Sequence, residues 1–303
     1  MSAAASASPS LAQRLGFSAD ARLVVIHADD IGMCHAANEG AFEALVAGPA
    51  TCGSVMVPCP WFAEAAARAR QHPEIDLGVH LTLNAEWENY RWGPVAGRSA
   101  VPSLVDEGGG LFRTGRETAL HGKPEEVEIE LRAQIDLALA AGIDVTHLDA
   151  HMGTVFLPPF LEIYARLARD YRLPAFVVRP RAEDLSGRSM SAALRAIHEL
   201  VDGLEAEGLP VFDAFDADSL GFAAGAGLAH NRERLRKLEP GVTYLVCHPA
   251  KGGEELDVLS GDAHCRDFER TFYGGEAGRQ ALEEEGIIAV GMRALRTLMR
   301  EAS

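Results

Sequence analysis

The sequence predicts an α/β fold: mostly parallel strands alternate with helices and close into a (β/α) barrel of the TIM type, with a long loop inserted after the third strand. Three observations carry this. Short apolar, β-branched runs alternate with stretches whose apolar positions recur at helical spacing, the rhythm of parallel βα units. Seven or eight such runs are present, a number that suits a barrel. Unusual polar residues also recur at strand C-termini, namely Asp29 and Asp30, His80, His147 with Asp149 and His151, Arg179, and His248. In a barrel those ends gather at one mouth, whereas in an open doubly wound sheet they spread along an edge.

The elements follow in order. Arg22-Leu23-Val24-Val25-Ile26 reads as a buried strand and stops at His27-Ala28-Asp29-Asp30-Ile31-Gly32. Two adjacent aspartates repel each other and disfavour a strand, so they are expected in the turn before the next helix. Ala36 to Val46 has helical spacing and ends at Gly48 and Pro49. Thr51 to Val57 is a strand stopped by Pro58, Pro60 to Arg70 an Ala-rich helix, and Ile75 to Leu83 the third strand. From Asn84 to Gly122 no period is sustained, as in a functional loop or lid. Pro124 to Ala141 is a helix: Pro124 suits its first turn, Glu125 and Glu126 its positive end, and Gly142 its stop. Val127, Leu131, Ile135 and Leu139 form its expected buried stripe. Ile143 to Asp149 is the fourth strand, Pro158 to Tyr171 a helix, Pro174 to Val178 the fifth strand and Met190 to Glu207 a helix. Val211 to Phe215 is a short sixth strand, and Asn231 to Lys237 a basic helix. Val242 to Cys247 is the seventh strand, and helices around Glu276 to Glu285 and up to Arg300 close the chain around a short strand at Gly286 to Val290.

Composition narrows the function. With 303 residues, 48% hydrophobic and 24% charged, the chain is an ordinary globular protein with room for a large core. A formal net charge of -16 argues against nucleic acid as a partner, because phosphates need a basic surface. No run is long and apolar enough to span a bilayer. Five cysteines, with no C-x-x-C, read as reduced thiols in a cytoplasmic protein. Cys247 sits in an apolar run, so it reads as a core thiol rather than a nucleophile. The Ala- and Ser-rich N-terminus has no basic start or apolar stretch of a signal. Residues 1–14 are expected to form a disordered tail and residues 15–303 a single barrel domain.

Two neutral imidazoles and one carboxylate form an open ligand set for a divalent transition metal, with positions left for water and substrate. Such an ion acidifies water and polarises a carbonyl. A second, unligated carboxylate can take the water's proton, and a histidine opposite can give one to the leaving group. Asp30, His80 and His151 fit the metal, Asp29 the base and His248 the acid. Spacing alone does not choose between Asp29 and Asp30, or between His147 and His151. Trp87, Tyr90 and Trp92 in the long loop offer a platform for a sugar-like ligand, and Arg179 at the end of strand five is a further substrate contact.

At these residues the chain resembles the YdjC/ChbG family of carbohydrate deacetylases. The match is carried by His27-Ala28-Asp29-Asp30-Ile31-Gly32, Gly78-Val79-His80-Leu81-Thr82, Thr146-His147-Leu148-Asp149-Ala150-His151 and Cys247-His248-Pro249. The resemblance implies a distorted barrel, one divalent ion (zinc or magnesium) and removal of acetyl groups from N-acetylated sugars. It implies Asp30, His80 and His151 as ligands, Asp29 as base and His248 as acid. The chain departs from the family pattern at Met152-Gly153-Thr154, where further histidines are common, and at Ala250, where glycine is usual. The implied partner is a small acetylated sugar, and a homodimer is compatible with the sequence. Two other expectations compete: a metal-dependent hydrolase of another small amide or a phosphoester on the same barrel, and a non-catalytic sugar- or metal-binding protein.

Overall fold

A computed structural model describes residues 9–180 and 192–301. Its strands are β1 (Arg22–Ile31), β2 (Cys52–Val55), β3 (Leu77–Leu81), β4 (Val145–Ala150), β5 (Ala214–Asp216), β6 (Gly241–Cys247) and β7 (Ile288–Ala289). Six of them lie side by side in the order β4-β3-β2-β1-β6-β5, all parallel, and β7 pairs with β1 off this path.

The ring closes through the segment expected as strand five. Leu148 of β4 pairs with Ala175, and Val178 pairs with Phe212, each as a single parallel bridge. The Phe176 N–H donates to the Leu148 carbonyl and the Phe212 N–H to the Val177 carbonyl, both at 2.8 Å. Pro174 has no N–H to give, which shortens the ladder at the start of this segment. The barrel is therefore distorted on this side, and the sixth expected strand is regular only from Ala214.

Alternation along β1 separates two layers. Val24, Ile26 and Ala28 pack with the surrounding helices, whereas Leu23 and Val25 join Phe212, Val242, Tyr244 and Val246 in the barrel interior. The helices are α1 (Leu11–Arg14), α2 (His35–Ala47), α3 (Phe62–Gln71), α4 (Gly115–His121), α5 (Pro124–Ala140), α6 (Leu161–Tyr171), α7 (Ala192–Ala206), α8 (Gly227–Arg236), α9 (Glu254–Leu259), α10 (Ala263–Tyr273), α11 (Glu276–Glu285) and α12 (Met292–Glu301). The expected tail overlaps α1: residues 1–8 lie outside the described residues, but Leu11 and Ala12 are buried in the interior cluster. Ser10 caps this short helix with a capping box. Met190 and Ser191, expected in the helix before strand six, also lie outside the described residues.

The segment from Asn84 to Gly122 has more order than its sequence suggests. It holds a 3₁₀ turn at Pro102–Leu104, an antiparallel bridge between Val105 and Leu111, and α4. Helix α4 starts at a capping box between Thr114 and Glu117, a signal present in the sequence. Helix α5 anchors the segment. Glu130 accepts the N–H groups of Val95 and Ala96, both at 2.9 Å, and Gln134 Nε2 donates to the Thr82 carbonyl at 2.7 Å. The buried stripe of α5 accordingly holds Glu130 and Gln134 beside Val127, Leu131, Ile135 and Ala138, and Leu139 faces solvent. Among the described residues no helix is long and apolar enough to cross a membrane.

Candidate metal centre and active site

Adjacent residues of a strand point to opposite faces, yet Asp29 and Asp30 both line the same cavity. The backbone explains this. Between Ala28 and Ile31 the register with β2 slips by one residue, and Asp30 sits at φ 64°, in the left-handed region. A non-glycine residue there costs of order 1 kcal/mol, least for Asp or Asn. The bulge swings the Asp30 carboxylate back towards the barrel mouth. The aspartates therefore belong to the end of the strand itself and not to the turn expected after it.

Strands β3 and β4 bring the imidazoles. Asp30 Oδ1 lies 3.6 Å from His80 Nε2 and 3.4 Å from His151 Nδ1. All three side chains are buried, and their potential ligand atoms lie within 4.8 Å of one another. Two imidazoles and a carboxylate at this spacing fit a divalent cation. The charge around them fits one too. Burial alone would lower the His151 imidazolium, but Asp30 and Glu86 outweigh it and lift the ring to about 10. Burial alone would raise the Asp30 carboxyl, but Arg266, His151 and His248 hold it well below the usual carboxylate range. Asp30 and Glu86 thus place negative charge around the His151 ring.

Neighbouring groups hold the ligands. His80 Nδ1 lies 3.1 Å from Asp149 Oδ2, which also accepts from Ser54 Oγ at 2.9 Å and Tyr244 Oη at 3.3 Å. His151 Nε2 lies 3.0 Å from Glu86 Oε2. Asp29 Oδ1 lies 2.5 Å from His27 Nδ1, and His27 Nε2 lies 2.8 Å from His147 Nε2. His147 is a buried support for His27. Burial pushes its ring down to about 3, so it is neutral. Gly78 makes room for it, since a Cβ there would lie 2.6 Å from His147 Nε2. Asp29 keeps Oδ2 towards the cavity, 3.8 Å from His80 Nε2 and 3.7 Å from His248 Nε2. Burial also pushes the His248 ring below its ordinary value, in spite of the nearby Asp30 and Asp29.

The cavity above these groups measures about 780 Å³, within the range of small-ligand sites. One side is apolar, with Phe156, Phe176, Phe215 and Tyr244. Trp87 lines it, but the three other expected substrate contacts, Trp92, Arg179 and Tyr90, do not. Trp92 is buried behind the site, with Nε1 donating to the Asn84 carbonyl at 3.0 Å and its ring edge-on to His151 at 6.2 Å. It holds the loop and the ligand rather than meeting solvent. Arg179 is drawn outward to Glu205 at 2.6 Å and lies off the cavity lining. Tyr90 is likewise a brace, donating to the Met33 carbonyl at 2.7 Å. Cys247 is fully buried, and burial holds its thiol well above the usual range, as a core residue requires.

The YdjC-like protein family matches residues 23–284. The chain belongs to this family. A carbohydrate deacetylase of Thermus thermophilus is 38% identical over 249 residues, covering 79% of this chain and 81% of that protein. A chitooligosaccharide deacetylase of Yersinia enterocolitica is 29% identical over 167 residues, covering 54% and 62%. A solved structure of an Enterococcus faecalis protein, described as a putative cellobiose-phosphate cleavage protein, superposes with a TM-score of 0.72 at 26% identity, covering 91% of this chain and 99% of that one.

Proposed function

We propose that this YdjC-like protein is a metal-dependent carbohydrate deacetylase that hydrolyses the acetamide of an N-acetylated sugar or short oligosaccharide. The observation that carries the reading is the convergence of Asp30, His80 and His151, from three different strands or strand ends, beside an unligated carboxylate and a histidine on one cavity. The activity named for the relatives agrees with that donor set.

Asp30, His80 and His151 would hold one divalent ion, and two imidazoles favour zinc over magnesium. When bound, such an ion supplies Lewis acidity at the acetyl carbonyl and makes a nearby water more acidic. Asp29, steadied by His27, takes the water's proton at Oδ2. His248 gives a proton to the departing amine. Trp87 offers a flat apolar face to a sugar ring, and the wall of Phe156, Phe176 and Phe215 excludes bulk water. Arg266, held by Asp30 and Asp262, keeps the floor of the cavity fixed.

The test is acetate release from short N-acetylglucosamine oligomers by metal-free protein supplied with zinc or magnesium. Release that depends on the added ion supports the reading. Phosphate release from sugar phosphates without acetate, or tight sugar binding without turnover under any ion, would replace it.

A further inference from the structure

The histidine assigned to proton delivery is not free in its choice of protonated nitrogen. His248 Nδ1 lies 2.9 Å from Ser219 Oγ. Ser219 Oγ in turn lies 2.7 Å from Glu269 Oε2, which also accepts the His248 backbone N–H at 2.7 Å. The other oxygen, Glu269 Oε1, accepts from Arg234 Nη1 at 3.1 Å. Arg234 is fixed by the Val246 carbonyl at 2.5 Å and by Asp216 at 2.8 Å. Ser219, Glu269 and Arg234 are all buried, with 1%, 0% and 3% exposure, so water does not compete for these bonds.

A carboxylate that faces a guanidinium and a backbone N–H can only accept. The single proton of Ser219 is therefore committed to Glu269. Ser219 has only lone pairs left for the imidazole, and His248 Nδ1 must carry a hydrogen. In a neutral imidazole the other nitrogen is then bare. That nitrogen, Nε2, is the one that faces Asp29 Oδ2 at 3.7 Å.

We propose that Ser219 and Glu269 are positioning residues that keep a hydrogen on His248 Nδ1, so that Nε2 is the nitrogen that exchanges a proton with Asp29 and gives it to the amine. The inference rests on the deacetylase reading for its chemistry, but the Nδ1 hydrogen stands on the hydrogen bonds alone. An O–H bond of water breaks and its proton goes to Asp29 Oδ2. The water oxygen bonds to the acetyl carbon, and the carbonyl π pair moves to the carbonyl oxygen. The proton passes from Asp29 Oδ2 to His248 Nε2. The C–N bond breaks with its electron pair going to nitrogen, the nitrogen takes the proton from Nε2, and the carbonyl re-forms. Acetic acid and the free amine leave, and both residues return to their starting states. One proton thus serves both halves of the reaction.

The experiment is nitrogen NMR of full-length, zinc-loaded protein with ¹⁵N in its histidine rings, His248 being assigned by difference from His248→Gln. The expected spectrum has His248 neutral, hydrogen on Nδ1 and Nε2 bare. Ser219→Ala should shift the ring towards the Nε2–H form and lower kcat about tenfold with KM within about twofold, a fraction of what general acid catalysis provides. A wild-type ring carrying its hydrogen on Nε2 overturns the proposal, and so does Ser219→Ala with unchanged kcat. The wild-type spectrum decides the tautomer even if a variant fails to fold. Absence of acetate release with an Nδ1–H ring would instead remove the deacetylase reading and leave the tautomer intact.

Discussion

Arg266 Nη1 donates to Asp30 Oδ2 at 2.8 Å, and this leaves Asp30 Oδ1 as the oxygen that faces His80 and His151. The arginine is nearly buried and is itself held by Asp262 at 2.8 Å. It therefore fixes which lone pairs of the aspartate are offered to a cation. Arg266→Met removes that constraint while keeping much of the volume. Cation affinity should fall about 10- to 100-fold, the usual effect of losing a group that orients a ligand. Titration of metal-free protein with zinc by calorimetry measures it.

Asp149 plays the corresponding part for His80. Its Oδ2 meets His80, Ser54, Tyr244 and, at 3.4 Å, His27, while its Oδ1 is buried with no hydrogen-bond partner among the described residues. Asp149→Ala should release the His80 ring and also weaken zinc by about 10- to 100-fold. His27→Gln, by contrast, should leave zinc bound and lower kcat, because His27 meets Asp29, His147 and, at 3.4 Å, Asp149 but none of the three ligands. Competition with a chelating dye, run beside acetate release, separates the two effects.

The cavity wall gives a prediction on substrate binding. Trp87→Ala should raise KM for acetylated oligosaccharides by about tenfold, the loss of roughly 1.4 kcal/mol of ring contact, with kcat little changed. Arg179→Gln should change neither constant by more than about twofold, since Arg179 is engaged by Glu205 away from the cavity. Steady-state kinetics on one oligosaccharide series checks both.

Asp144 gives a dependence of stability on pH away from the active site. Hydrogen bonds from Arg296, with Arg293 beside them, hold its carboxyl down at about 2, below an unfolded value near 3.8. A depressed folded value means stability that is present above roughly pH 4 and lost as pH falls through about 2. The carboxylate is about half exposed, at 53%, so solvent screening reduces the contribution to about 1 kcal/mol. Asp144→Asn should therefore be less stable than the parent by about that amount at neutral pH, with the gap closing between pH 4 and 2. Urea unfolding at several pH values shows it.

The fold was largely legible because alternation, periodicity and Gly or Pro stops are local. Strand β6 and the Pro-led helix α5 stand where their residues place them, whereas β1 runs on to Ile31 and the capping-box helices α1 and α4 form where a tail and a loop were expected. The segment at Pro174 to Val178 is held by single bridges, a fact of closure that no local pattern carries. The clustering of Asp30, His80 and His151 could be anticipated because barrel strand ends share one mouth. The rest of the site could not. Arg266, Ser219 and Glu269 reach it from a loop and from α10, where an arginine or glutamate looks like any exposed charge. Trp92 and Arg179 had the right chemistry for a sugar, but burial behind His151 and a partner on α7 redirect them. Asp30 turned inward through a left-handed residue, which sequence alternation would have assigned to the opposite face.

The most direct test of the central claim is anomalous diffraction from crystals of the zinc-loaded protein, collected on both sides of the zinc absorption edge. The expected result is one peak per chain, bounded by Asp30 Oδ1, His80 Nε2 and His151 Nδ1, and absent in His80→Ala. A peak at other residues, or no peak between these three at full zinc loading, would contradict it.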